Sequence, residues 1–370
     1  MGFIIPDYAS LDPEQKEILN LNVSKNWVIQ GGPGTGKTVL AIYRAAQLAK
    51  YGKTVLLVYN RPLKLFLAEA VESKGCEVKT YNEWVTDAYK NYLGRKKVPR
   101  ISGKRGQLDY AQVEKDLYNV GEKYLHAIFD EAQDCPFELL RTVERMSKNI
   151  TCFVDPNQEI LPGKLESLDM IKTLCVEAQY PLTRNFRNTK QVRDASAIFC
   201  RGAQPAIAFF NGPKPELIEF PSRDYEDLTD FICDFCEDHI GDTIGIITDY
   251  NSVSNLYDDL EPRLSDTMPV QMFKTMKKTD FDFEQSGVQI FSFGTMKGLE
   301  FDHVIIARIE AVHTSNDEDI DFNRLYVAMS RPRQQLIVTY FYDDPNPGKW
   351  IDPFDTINDN PDVFEWEEYK

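Results

Sequence analysis

The sequence predicts an α/β protein made of two parallel-sheet domains with a cleft between them. Three observations carry that expectation. A glycine-rich loop sits between a short apolar strand and a helix, strands and helices alternate through the first half, and the same alternation resumes after residue 180 without a second such loop.

The first element is a helix beginning at Leu11-Asp12-Pro13-Glu14-Gln15, with Asp12 as N-cap, Pro13 at the first helical position and Gln15 at the third. Asn26-Trp27-Val28-Ile29-Gln30 follows as a buried strand. Gly31-Gly32-Pro33-Gly34-Thr35-Gly36-Lys37-Thr38 then fits the spacing G-x-x-x-x-G-K-[ST], and Val39 to Ala49 has the period of a helix. In such a loop, which here includes Pro33, the glycines let the backbone N–H groups of Gly32, Gly34, Thr35 and Gly36 converge on a phosphate chain, and the helix N-terminus adds positive potential. Lys37 would reach the β- and γ-phosphates, and the Thr38 hydroxyl would ligate Mg²⁺. A glycine-rich turn could match by accident, but strand and helix flank it as the chemistry requires. The chain is therefore expected to bind ATP with Mg²⁺.

Strands are expected next over Val55–Tyr59 and Cys76–Tyr81, with a helical run from Leu63 to Ser73 between them and a helix carrying Trp84 after them. Tyr124-Leu125-His126-Ala127-Ile128-Phe129 reads as a buried strand ending in Asp130-Glu131-Ala132-Gln133-Asp134. Carboxylates at a parallel-strand end face the phosphate loop, so Asp130 is assigned to Mg²⁺ and Glu131 to the attacking water. The bland alternative is an acidic turn capping the next helix. Asn149 to Val154 is another strand, and Gln158 beyond it is placed to sense the γ-phosphate. In the second half, strands are expected over Glu216–Phe220, Thr243–Ile247, Val288–Phe291, His303–Ala307 and Gln335–Thr339.

Composition bounds the rest. At 370 residues, 42% hydrophobic and 27% charged, the chain has the make-up of a globular protein with room for two cores. No apolar run has the length of a membrane span, and the start lacks a secretion-signal pattern, so a cytoplasmic protein is expected. Scattered cysteines, seven in all, suit reduced thiols. Cys233 and Cys236 lie on an amphipathic helix and read as core residues rather than metal ligands. A net charge of −16 argues against a simple nucleic-acid binder, yet residues 90–105 hold seven basic groups and no acid.

These motifs, in this order, resemble superfamily 1 helicases of the UvrD/Rep type. Gln15 falls at the family's adenine-reading glutamine, Gly31–Thr38 resembles motif I, Asp130–Asp134 motif II and Asp155–Gln158 motif III. Leu182-Thr183-Arg184-Asn185-Phe186-Arg187-Asn188 resembles motif IV, whose aromatic stacks on adenine and whose arginine meets the γ-phosphate. Phe291 to Asp302 resembles motif V, and Asn323 to Arg331 motif VI, which carries an arginine finger. The resemblance implies two RecA-like domains, at 1–180 with a small basic insertion near 87–123 and at 181–345, then an acidic tail over 346–370. It implies catalytic roles for Lys37, Glu131, Gln158, Arg187 and Arg331, and nucleotide contacts from Gln15, Phe186, Gly298 and Glu300. Nucleic-acid contacts are implied for Tyr59, Asn60, Tyr81 and Thr295. The large second accessory insertion is missing, and Glu159-Ile160-Leu161-Pro162-Gly163 stands where the family supplies base-stacking aromatics. Tyr59, Tyr81 and Trp84 are the candidates to replace them. Two functions follow: an ATP-driven motor on single-stranded nucleic acid (DNA by the resemblance), or a regulatory ATPase that switches a protein partner such as a nuclease, with no membrane involved.

Overall fold

The computed structural model describes residues 6–58, 64, 75–103, 107–155, 157–158, 171–172, 174, 179–202, 205–220, 225–273, 282, 285–312, 318–341 and 355–369. Tyr59, Asn60, Glu159–Gly163 and all of the expected 63–73 helix but Lys64 lie outside these residues. The chain divides into two compact units. One comprises Ile5–Gly32 and Gly36–Leu182, and the other is chiefly Thr183–Lys370.

The first unit is built on six parallel strands: β1 (Trp27–Gly31), β2 (Thr54–Val58), β3 (Cys76–Thr80), β4 (Tyr124–Phe129), β5 (Ser147–Val154) and β6 (Gln179–Leu182). Their spatial order is β3-β2-β4-β5-β1-β6. All five residues of β2 are buried, as expected of a strand covered on both faces. Gln30 pairs with Val154, and Phe129 with Cys152, so β1, β4 and β5 deliver their following loops to one edge of the sheet. Helix α1 (Pro13–Leu19) starts in the expected capping box, with Asp12 accepting from Glu14 N–H at 3.0 Å and Gln15 Oε1 accepting from Asp12 N–H at 3.1 Å. Helix α2 (Lys37–Leu48) begins directly at the loop lysine. The sequence does not announce strand β6, because Pro181 brings no N–H to a ladder, although the strand's register with β1 is continuous. The proline is tolerated because β6 is an edge strand.

The second unit carries seven parallel strands in the order β11-β12-β10-β13-β14-β9-β15. These are β9 (Glu216–Phe220), β10 (Thr243–Thr248), β11 (Val270–Phe273), β12 (Gly287–Ser292), β13 (Phe301–Ile306), β14 (Pro332–Phe341) and β15 (Glu365–Glu368). Strands β10, β12 and β13 are buried throughout. The two large sheets make the α/β, RecA-like fold that the sequence predicts. A separate pair, β7 (Arg184–Thr189) and β8 (Ile207–Phe210), runs parallel beside the larger sheet. Cys233 and Cys236 are buried and unbridged in the helix Tyr225–Asp238, as core thiols should be.

One expectation needs correction. The resemblance implies an acidic tail over 346–370, but Glu365–Glu368 pairs with Glu216–Glu219 and extends the sheet, while Tyr369 stacks on Phe220 with ring centroids 4.7 Å apart. The aromatic residues within the acidic run supply the apolar contact that charge alone hides.

Candidate nucleotide site

In the glycine-rich loop, Gly34 and Gly36 take φ of +72° and +84°, a region that L side chains rarely enter. Gly36 is constrained twice, since a Cβ there would lie 2.5 Å from Gln15 Nε2. That contact also places Gln15, the expected adenine reader, against the loop. Arg44 fixes the helix carrying it: buried on α2, it donates to the carbonyls of Ile18 at 3.2 Å and Leu21 at 3.4 Å, and to Thr151 Oγ1 at 3.0 Å. Burial pulls its guanidinium down to about 10. Sequence reasoning missed Arg44; an arginine on the apolar stripe of a helix is the sign that could have revealed it.

Lys37 is buried and donates to the carbonyls of Gly31 at 2.8 Å and Gly32 at 2.9 Å, with Asp155 Oδ2 at 3.6 Å. Pro33 and Thr35 are buried in the same loop. Thr38 Oγ1 donates to Asp130 Oδ2 at 2.8 Å. Asp130 is fully buried, and its Oδ1 has no hydrogen-bond partner among the described residues. Burial raises its carboxyl well above the usual range, with the neighbouring Glu131 adding to this and Thr38 and Lys37 opposing it. A hydroxyl bonded to one oxygen of a buried carboxylate, with the other oxygen bare, fits a hard divalent cation such as Mg²⁺.

Glu131 sits in the left-handed region at φ 52°, ψ 49°, a conformation that costs about 1–3 kcal/mol in a residue other than glycine. Two side chains hold it. Gln133 Nε2 donates to Glu131 Oε2, and the hydroxyl of Tyr81 lies 3.3 Å and 3.4 Å from the carbonyl oxygens of Asp130 and Glu131. The other end of the Gln133 amide accepts from Asp155 N–H at 3.1 Å, and Asp155 Oδ2 accepts from Gln158 Nε2 at 2.8 Å. The ends of β4 and β5 and the loop lysine therefore form one polar network. Gln133 and Asp155 are its links, and neither was assigned a role from sequence.

Tyr81 corrects an expectation. It was placed on nucleic acid, but only 4% of it is exposed and Trp84 is 1% exposed, so neither ring offers a face to a base. Its role in this fold is to support the Asp130–Glu131 turn. Tyr81→Phe should lower stability by about 0.5–1.5 kcal/mol, the net worth of a buried hydrogen bond, as measured by urea titration. An unchanged midpoint would show the hydroxyl to be idle.

In the second unit, Arg187 is paired with Glu300, which also meets Arg333 Nη2 at 3.4 Å. Burial pushes the Glu300 carboxyl up, but Arg187, Arg333 and Arg331 together hold it below the usual range. Arg331 is 2% exposed, and it donates through Nε to Val327 O at 2.8 Å and through Nη1 to Leu299 O at 3.3 Å. Asn188 Nδ2 ties β7 to the carbonyls of Ser330 at 3.0 Å and Pro332 at 2.6 Å. Gly298 enters this loop at φ +82°. The segments around Arg187, Glu300 and Arg331 are thus brought together within one unit. Phe186 is 38% exposed, leaving a ring face open to stacking. Thr295 is not part of this cluster of contacts: its hydroxyl closes a turn, accepting from Ser292 N–H at 3.1 Å. Among the described residues no three His, Cys, Asp or Glu side chains cluster as a metal site, and no helix is long and apolar enough to cross a membrane.

Residues 24–199 match the family model for the Schlafen group 3 DNA/RNA helicase domain, and residues 290–339 that for the UvrD-like helicase C-terminal domain. No curated protein matches the chain. Among solved structures, the PRRSV helicase is similar over 90% of this chain and 56% of its own, at 13% identity and a TM-score of 0.45. The C-terminal domain of a possible DNA helicase from Lactobacillus plantarum WCFS1 is similar over 49% of this chain and 97% of its own, at 21% identity and a TM-score of 0.35. The chain spans little more than half the length of the PRRSV protein. With a helicase-domain match over residues 24–199 and a UvrD-like match over 290–339, the chain carries helicase-like domains, consistent with a UvrD/Rep-like superfamily 1 helicase.

Proposed function

We propose that the protein hydrolyses ATP and uses the cycle to move along single-stranded nucleic acid, with DNA as the first candidate. The observation that carries this reading is the polar network joining Lys37, Asp155, Gln133 and Glu131 beside the Thr38–Asp130 pair. It supports the assignment of Lys37 to the phosphates and of Glu131 as general base, since both lie at one edge of a parallel sheet, where such sites form. Lys37, held by its own loop carbonyls, is presented to the β- and γ-phosphates. Glu131 orients the water and takes its proton. Thr38 and Asp130 would hold Mg²⁺, which would supply charge neutralisation on the phosphates. Gln15 and Phe186 are assigned to the adenine, and Gly298 and Glu300 to the nucleotide. Arg187 and Arg331 are assigned to the charge that grows on the transferring phosphoryl group, which a buried and pre-positioned guanidinium stabilises without reorganisation. Gln158 reports the γ-phosphate to Asp155.

The test is ATP hydrolysis with and without a single-stranded oligonucleotide, followed by strand displacement on a tailed duplex. The motor reading expects the strand to raise the rate severalfold and the duplex to open. A rate indifferent to the strand, with no displacement, would sink it. A regulatory ATPase is the second reading, favoured by the burial of Tyr81 and Trp84 and by the net charge of −16. It expects a rate that ignores the strand and rises with a protein partner such as a nuclease.

A further inference from the structure

Large hydrophobic side chains stand exposed at ten described positions, and four of these lie on the small sheet of β7 and β8: Phe186, Ile207, Phe209 and Phe210. Single exposed hydrophobics are ordinary; three on a four-residue strand are not. Strand β8 buries only Ala208, while Ile207, Phe209 and Phe210 are 58%, 49% and 56% exposed. Arg184 pairs in register with Ile207, and its guanidinium lies 5.6 Å from the centre of the Phe209 ring.

Charge decides what such a face fits. Residues 184–210 contain Arg184, Arg187, Lys190, Arg193 and Arg201 against a single acid, Asp194, in a chain whose net charge is −16. That acid is already paired with Arg193, and Arg187 is paired with Glu300, so the local excess of positive charge comes from Arg184, Lys190 and Arg201. A locally cationic strand with solvent-facing rings suits a polyanion that also carries flat apolar faces. An acidic protein surface would use the charge but leave the rings unused, whereas a purely apolar partner would have to bury the arginines.

We propose that the exposed side chains of β8, with Arg184, form a stacking platform for the bases of single-stranded nucleic acid, Phe209 beside Arg184 on one face of the strand and Phe210 at its end on the other as the stacking rings. It supplies, on the second unit, the aromatic faces that Tyr81 and Trp84 do not offer on the first. The proposal rests on the nucleic-acid reading above. Stacking on aromatic rings holds a strand without regard to sequence, and an arginine beside the ring adds phosphate contact and cation–π attraction.

The test is fluorescence anisotropy of a labelled oligothymidylate with the whole protein over a range of salt. The Phe209→Ala/Phe210→Ala double variant should bind on the order of tenfold more weakly. Its salt dependence and its ATP hydrolysis without nucleic acid should be unchanged, which also shows it folded. Arg184→Gln should reduce the slope of log affinity against log salt by about 0.7, the value of one phosphate on a single strand. Phe209→Leu/Phe210→Leu keeps the apolar area and loses the rings, so it should bind as weakly as the alanine pair. If the alanine pair binds like the parent, the platform is wrong while the motor reading stands. If the leucine pair binds like the parent and the alanine pair does not, the face is an apolar dock and stacking is wrong. If the parent protein hydrolyses ATP but holds no oligonucleotide, the nucleic-acid reading itself falls, and the platform with it.

Discussion

Glu131→Gln should slow ATP hydrolysis by roughly a hundred- to ten-thousandfold, the usual worth of a positioned general base, with nucleotide affinity preserved. The separation of rate from binding follows from the geometry. Gln133 donates to Glu131 Oε2, and a glutamine oxygen at position 131 can accept the same bond, so the left-handed turn and its contact with Tyr81 survive. Only the ability to take a proton is lost. Steady-state hydrolysis beside titration with a fluorescent ATP analogue checks this. A variant that turns over at the parent rate would remove Glu131 from the chemistry, and one that loses analogue binding would show the turn itself to have collapsed.

The other large effect is expected at Arg331. Replacement by alanine should lower the hydrolysis rate by about a thousandfold, near the lower end of what arginine fingers contribute, with little change in nucleotide affinity. Arg331 also donates to the carbonyls of Val327 and Leu299, so the alanine variant would leave buried acceptors without partners. Arg331→Lys restores a cation while losing the planar fork, and should remain slow because a point charge does not reproduce the guanidinium geometry. Thermal melting run beside the kinetics separates a lost finger from a lost fold. Normal hydrolysis by a stably folded Arg331→Ala protein would show that the finger assignment is wrong.

The parts of the site visible in sequence are those whose chemistry is local. The loop from Gly31 to Thr38 shows itself because strand, glycines and helix are contiguous, and Asp130-Glu131 because a buried strand runs directly into two carboxylates. What escaped depends on neighbours far apart in the chain. Nothing around Gln133 announces that its amide will bridge Glu131 and the backbone of Asp155, because that bridge exists only once β4 and β5 lie side by side. The error over Tyr81 was avoidable. Tyr81, Trp84, Val85, Ala88 and Tyr89 recur at the spacing of one helical face, and all five are buried. The stripe marks core, whatever a motif comparison assigns to one of its members. Strand β15 was hidden for another reason: Glu365-Trp366-Glu367-Glu368 has the composition of a solvated segment, and only its fit along β9 makes it a strand.

The bridging amide of Gln133 has a mechanical implication. One end grips the Glu131 carboxylate, and the other grips the strand whose aspartate faces the loop lysine. A side chain that only donates or only accepts could hold one end but not both, so glutamate or lysine there would cut the linkage. Any ligand that draws Lys37 away from Asp155 tugs on the same lever, and the Glu131 carboxylate must travel with the strand or let go of it.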